Sequence, residues 1–149
     1  MQNVTFPFDS NYNPIGNFIP VKSTVTYAAA TTGAQGAHTL FTITGPCIVK
    51  LIGYCSSGLT SGGAATIEAG ITGALTALNA QATATDIATG KFFIDATPAI
   101  YKADFTGKII AIDIIETIGT TTITGGVIDW ICLWLPLEST STIVATTPA

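Results

Sequence analysis

Residues 107–137 read GKIIAIDIIETIGTTTITGGVIDWICLWLPL, two runs of β-branched and aromatic residues around a Thr/Gly turn. That is the pattern of a long β-hairpin. In the first run Ile110, Ile112 and Ile114 alternate with Ala111, Asp113 and Ile115. In the second, Ile128, Trp130, Cys132 and Trp134 alternate with Val127, Asp129, Ile131 and Leu133. Strands apolar on both faces must be covered on both faces, so the rest of the chain, or another subunit, is expected to pack around this segment. Trp130, Cys132 and Trp134 share parity and hence one face. With a thiol between the two indoles, that face reads as core or subunit interface rather than as a platform for stacking sugar rings.

Outward from this segment, the chain supplies short alternating runs separated by turn residues. Val21, Ser23, Val25 and Tyr27 form one side of a half-buried strand; Thr39, Phe41 and Ile43 mark a second. Gly45-Pro46 punctuates the chain before CIVKLIGYCS at 47–56, and Ala65, Ile67, Ala69 and Ile71 alternate cleanly in a further strand. KFFIDA at 91–96 gives another, and Ile143-Val144 is a candidate short edge strand. Residues 73–90, GALTALNAQATATDIATG, place Leu75, Leu78 and Ala82 on a helical face, so a short helix within a long loop is expected there. The sum is an all-β chain of about seven or eight strands with at most one short helix and no βαβ alternation. It fits a β-sandwich, jelly-roll-like rather than immunoglobulin-like, since the Cys…Trp…Cys spacing is missing. The expected organisation is an irregular N-terminal arm over 1–20, a β-sandwich over 21–138 and a polar C-terminal tail over 139–149. The arm holds Pro7, Pro14 and Pro20, yet it also carries Phe6, Phe8, Tyr12 and Phe18, which disordered tails normally lack. Those four aromatics are candidate partner-binding residues, with packing on the chain's own domain the equal alternative.

Composition narrows the function. Of 149 residues only 9% are charged against 48% hydrophobic, and Thr alone contributes 26. Little charge repels neighbours on such a surface, which suits a permanent part of an assembly. The cations are five lysines with no arginine, at a net charge of −4, which argues against nucleic-acid binding. No apolar run reaches the length of a membrane helix, and the N-terminal residues lack the basic and apolar regions of a secretory leader, so a cytoplasmic site of synthesis is expected.

Catalytic patterns are missing from the sequence: it has no HExxH, no GxSxG and no phosphate loop. The expectation is a protein that is not an enzyme and has no cofactor. Cys47 and Cys55, eight residues apart, lie roughly 26 Å apart on a continuous strand. A zinc-type site from Cys47, Cys55, Cys132 and His38 therefore needs a sharp bend at Gly53, and buried free thiols are the plainer reading. His38, at a strand start, reads as a turn or surface residue and not as a base. Asp113 and Asp129 face each other in the expected hairpin as a carboxylate pair of the glycosidase kind, or simply as acids bonded to Thr, Trp or backbone. Asp95 and Asp104 are the acids nearest to a calcium-type grouping. Asn3-Val4-Thr5 matches a glycosylation sequon and is taken as incidental.

The segments TIEAGITG (66–73), ATATDIATGKFFIDATPA (82–99) and DIIETIGTTTITGGVIDWICLWLPL (113–137) resemble a group of small Thr/Ala/Gly-rich virion proteins of tailed bacteriophages. The resemblance covers about half of the chain, is strongest over 113–137, and consists of strand and turn patterns. It implies a capsid decoration (cement) protein, a β-rich homotrimer that binds the major capsid protein where capsomers meet and so resides on the virion surface. No functional residues carry over with it. The alternatives are a tail or fibre adhesion module that binds carbohydrate, and a head-completion or tail subunit.

Overall fold

The computed structural model describes residues 18–102 and 106–146. Among these residues ten strands form two antiparallel sheets: β1 (Ile19–Thr26), β2 (Gly36–Thr44), β3 (Cys47–Ser61), β4 (Thr66–Ile71), β5 (Ala74–Thr83), β6 (Phe92–Phe93), β7 (Lys108–Ile110), β8 (Ile114–Gly119), β9 (Ile123–Pro136) and β10 (Thr142–Ala145). The first sheet runs β1-β9-β3-β6, with β7 beside β6 on the same edge of β3; the second runs β10-β2-β8-β4-β5. Strands β1, β9, β3 and the β6/β7 pair face β2, β8, β4 and β5, and the chain changes sheet at nearly every connection. This is the strand order of a jelly roll, with its sixth strand broken in two as β6 and β7 and with β10 added outside β2. Pro20 fits because β1 is an edge strand, hydrogen-bonded only to β9.

The stretch from Gly107 to Leu137 differs from the expected hairpin. Its first run is split: Lys108–Ile110 pairs with Cys47–Val49 in the first sheet, then the chain crosses over and Ile114–Gly119 joins the second sheet between β2 and β4. Its second run, β9, lies in the first sheet between β1 and β3. The turn at 120–122, with Thr120 at φ 66°, is an arch between sheets. The two runs meet through their side chains across the core and not through their backbones. A period of two marks either arrangement equally, so alternation alone did not distinguish them. The expected helix within 73–90 is also corrected. Ala74–Thr83 is a strand on β4, reached through a tight turn with Gly73 at φ 87°, and only the single 3₁₀ turn Ala84–Asp86 is helical. Isolated helical propensity is weak here, and the β-branched Thr76 and Thr83 fit a strand that completes a sheet.

The first strand begins at Ile19, ahead of the Val21 where its alternation was read to start. Within the polar tail, Ile143 and Val144 do form an edge strand, in register with Ile43 and Thr42 of β2. Between the sheets, Trp130, Phe41, Phe93, Leu40, Ile67 and Ile114 are among the largest fully buried side chains. Phe93 meets Trp130 edge to face, with ring centroids 5.7 Å apart.

The β1–β2 loop is tied to the arch by a very close approach. Gly33 accepts the Ile123 N–H at 2.9 Å, and a Cβ on Gly33 would sit 1.9 Å from the Ile123 carbonyl oxygen. Gly33→Ala is therefore expected to cost about 1–3 kcal/mol, as overpacking against backbone does. Urea unfolding should show a lowered midpoint; a midpoint equal to wild type would mean the loop yields freely.

Candidate functional site

Two kinds of feature qualify as candidate sites: a buried polar cluster in the core and apolar surface on the first sheet. The cluster forms because β8 turns Ile114, Glu116 and Ile118 inward, so one carboxyl sits in an otherwise apolar row. Its Oε2 accepts from the Tyr27 hydroxyl at 2.6 Å and from Trp130 Nε1–H at 3.0 Å, while Oε1 has no hydrogen-bond partner among the described residues. Burial pushes the Glu116 carboxyl up to about 8, although both hydrogen bonds pull the other way. Burial, with the neighbouring carboxyl, also raises Tyr27 well above the usual phenol range. Glu116 and Trp130 are wholly enclosed and Tyr27 nearly so. A carboxyl in that setting holds a proton at neutral pH and ties both sheets together; no substrate reaches it.

The thiols and the imidazole named from sequence are not brought together. Cys47 and Cys55 stand at opposite ends of the inward row of β3, which runs straight through Gly53 in continuous register with β9. Cys132 lies opposite Leu51. His38 is on β2 in the other sheet, its Nε2 paired with the Ala34 carbonyl at 2.9 Å. Among the described residues no group of three or more His, Cys, Asp or Glu side chains is placed to hold a metal ion. Desolvation raises all three thiols, Cys132 to about 12, which leaves them protonated small hydrophobes.

The carboxylate pair is likewise dissolved by the arch between sheets. Asp113 caps the crossover from β7 to β8, its Oδ1 accepting the Ile43 N–H at 2.8 Å. Asp129 faces outward from β9, accepting from the Thr24 hydroxyl at 2.6 Å and paired with Lys22 at 2.9 Å. Asp95 organises its own loop: Thr97 N–H and hydroxyl each donate at 2.8 Å, and the Lys102 ammonium lies 2.7 Å away and also reaches the Thr97 carbonyl. Asp104 lies outside the described residues. So do Phe6, Phe8 and Tyr12 of the candidate partner-binding set. Phe18 is described, half-buried, with the Lys50 ammonium 5.2 Å from its ring centre. Trp130, Cys132 and Trp134 are all buried between the sheets of a single chain.

Among the described residues exposed apolar side chains gather in two places, with Leu75 of β5 and Val144 of β10 exposed singly on the second sheet. At the end of the sandwich where β1 begins and β9 finishes, Ile19, Ile109, Ile112 and Leu137 are exposed, Ile109 to 70%. The register brings them to this end: Ile19 pairs with Trp134, Cys47 with both Ile110 and Pro136, and the Leu137 N–H donates to the Pro46 carbonyl. On the outer face of the first sheet, Ile48, Ile52, Ile131 and Leu133 are half-buried, and Ile52 opens into a cavity of about 270 Å³ lined by Phe92, Ile94, Ile100, Tyr101 and Lys102. Ile100 and Tyr101 are 78% and 76% exposed.

Sequence reading missed the Tyr27–Glu116–Trp130 cluster. Its signal was present, since Glu116 shares parity with Ile114 and Ile118. The cavity had no comparable signal, because it depends on where the 94–102 loop folds back over β3. The fold and these surfaces define an all-β jelly-roll sandwich with unpartnered apolar surface. No protein-family model, no curated protein and no solved structure matches the chain.

Proposed function

We propose that this protein is a structural component of a tailed-bacteriophage particle, decorating the capsid by binding the major capsid protein at capsomer junctions. The carrying observation is the gathering of Ile19, Ile109, Ile112 and Leu137 at one end of the sandwich, where an isolated soluble domain gains nothing by exposing them. The low-charge, Thr-rich composition and the sequence resemblance point the same way. The jelly roll recurs among viral capsid proteins, which is support by fold analogy alone. The mechanism is thermodynamic. Each copy, as one subunit of a homotrimer, binds the mature shell more tightly than the immature one and so stabilises it by that difference in affinity. No chemical step is involved, and no cofactor is needed.

The test is cryo-electron microscopy of a virion carrying this polypeptide, with shell-binding measured for surface variants. Density for a double sheet on the capsid exterior, with the Ile109/Ile112 end against the shell, is expected. Ile112→Asp with Leu137→Asp should weaken shell binding about tenfold or more, the loss of at least one well-packed apolar contact, without lowering the melting temperature. Density at the tail or fibre would instead favour the adhesion reading, and undiminished binding by the double variant would remove this end as the docking surface.

A further inference from the structure

We propose that the cavity beside Ile52 is a binding site for a single neutral aromatic ring. Three observations carry this. The first is the lining and its size. Ile52, on the outward row of β3, and Phe92 of β6 meet Ile94, Ile100, Tyr101 and Lys102 of the loop that follows β6. Phe92 is the register partner of Tyr54, whose ring lies 5.4 Å away and tilted by 45°, so neighbouring strands hold aromatic rings together beside the cavity. An added ring packs against such faces in tilted or offset stacks, which strengthens plain area burial. An apolar cavity of about 150 Å³ already admits benzene, whereas drug-sized ligands take about 300 Å³ or more. At about 270 Å³ this cavity fits one ring system and not a larger molecule.

The second observation is that the wall is held open. Ile100 and Tyr101 are the two most exposed large apolar side chains of the described residues. A loop free to collapse would lay both onto Ile52 and Phe92 and close the space. On one side of them, Ala99 exchanges both backbone hydrogen bonds with Phe92, at 2.8 and 3.1 Å. On the other, the Lys102 ammonium donates to both Asp95 carboxylate oxygens, at 2.7 and 2.9 Å, and to the Thr97 hydroxyl and carbonyl. Asp95 is fixed in turn by the Thr97 N–H and hydroxyl. With residues 99 and 102 pinned, the two between them stand as a preformed rim, and a ligand entering it loses little to ordering the site.

The third observation is charge. Of the described residues that line the cavity, Lys102 alone is charged, and its side chain is only 16% exposed with Asp95 against it. An anion finds no free charge there and would be desolvated without return, so the ligand is neutral. The site is separate from the end of the sandwich assigned to shell binding: Ile52 lies four residues, about 13 Å, along β3 from Ile48, the register partner of Ile109. It therefore does not depend on the capsid reading.

Methyl NMR of the full-length chain, labelled at isoleucine, tests this by titration with indole, N-acetyltryptophanamide and benzenesulfonate. Indole should saturate at about 1 mM or below, the affinity expected from burying one ring, and shift the methyls of Ile52, Ile94 and Ile100 while those of Ile19, Ile109 and Ile112 stay in place. Benzenesulfonate, a ring with a charge, should bind about tenfold more weakly or worse. Ile100→Ser changes an exposed position, so the melting temperature should hold while indole binding weakens about fivefold. Tighter binding of indole than of the amide supports a free small molecule as the ligand; equal or tighter binding of the amide supports an aromatic side chain of a polypeptide. Absence of saturation by about 10 mM, equal shifts at Ile109 and Ile112, benzenesulfonate binding as tight as indole, or an unchanged titration of Ile100→Ser would each overturn the proposal.

Discussion

Trp130→Ala is expected to destabilise the protein by about 3–5 kcal/mol, the usual cost of truncating a fully buried aromatic to Ala. The indole is wholly enclosed, packs edge-on against Phe93, and sits above Gly53, where even a Cβ would come within 3.1 Å of its ring. Nothing nearby is free to collapse into the vacated space, because Gly53 and Phe93 are themselves fixed by strand pairing. The substitution also strips one of two donors from the buried Glu116 carboxyl. For a chain of this size the midpoint of thermal unfolding should fall by about 10 °C or more. Trp130→Phe separates the two contributions: it keeps most of the ring and removes only Nε1–H, so it should cost about 1–3 kcal/mol. A loss from Ala no greater than from Phe would show that the carboxyl contact, and not packing, carries the effect.

The architecture was legible in the sequence wherever one strand face is buried and the other is not. Val21 to Tyr27 and Ala65 to Ile71 read correctly as strands because alternation reports a half-buried sheet directly. Gly/Pro punctuation at 45–46 marked the true break between β2 and β3, which lie in different sheets. The all-β character follows from such strands with little helix between them, whereas the jelly-roll order adds pairings that alternation does not report.

What stayed illegible is partner choice. Doubly apolar runs on either side of a short Thr turn look alike whether they pair along their backbones or face each other across a core. The deciding features are nonlocal: β2 and β4 flank β8, and β1 and β3 flank β9. The same blindness produced the paired Asp113 and Asp129, which rested on the supposed hairpin. Residues 74–83 failed for a different reason. Their Ala and Leu content favours a helix locally, but pairing with β4 holds the segment extended from Ala74 to Thr83. The spacing of two thiols was legible by contrast, since β3 runs straight through Gly53 and keeps Cys47 and Cys55 eight residues of extended chain apart.

Stability is expected to fall as pH rises from about 5 to 8, and Glu116→Gln should abolish most of that fall. In the unfolded chain the Glu116 carboxyl titrates near its ordinary 4.5, and in the folded protein near about 8. Between those values the native state holds a proton that the unfolded state has released, so folding takes up a proton and each unit of rising pH removes up to about 1.4 kcal/mol. Below the window both states are protonated and the penalty vanishes. Above it both are ionised, and the native state bears a buried carboxylate in full. Asp95 and Asp129 have depressed values, held down by hydrogen bonds and by Lys102 and Lys22; their contribution is present above the ordinary carboxylate range and is lost only as pH falls through it. They therefore act below the window. Tyr27, raised, acts above it. Gln keeps an acceptor for the Tyr27 hydroxyl and Trp130 Nε1–H but cannot ionise. Urea unfolding of wild type and Glu116→Gln at pH 5, 6, 7 and 8 should give a difference that moves steadily in favour of the variant. Tyr27→Phe, which removes a bond that favours the ionised carboxyl, should carry the wild-type decline to higher pH. Parallel curves for wild type and Glu116→Gln across the whole range would mean that Glu116 is already ionised at pH 5, and that water or a donor reaches Oε1 inside the sandwich.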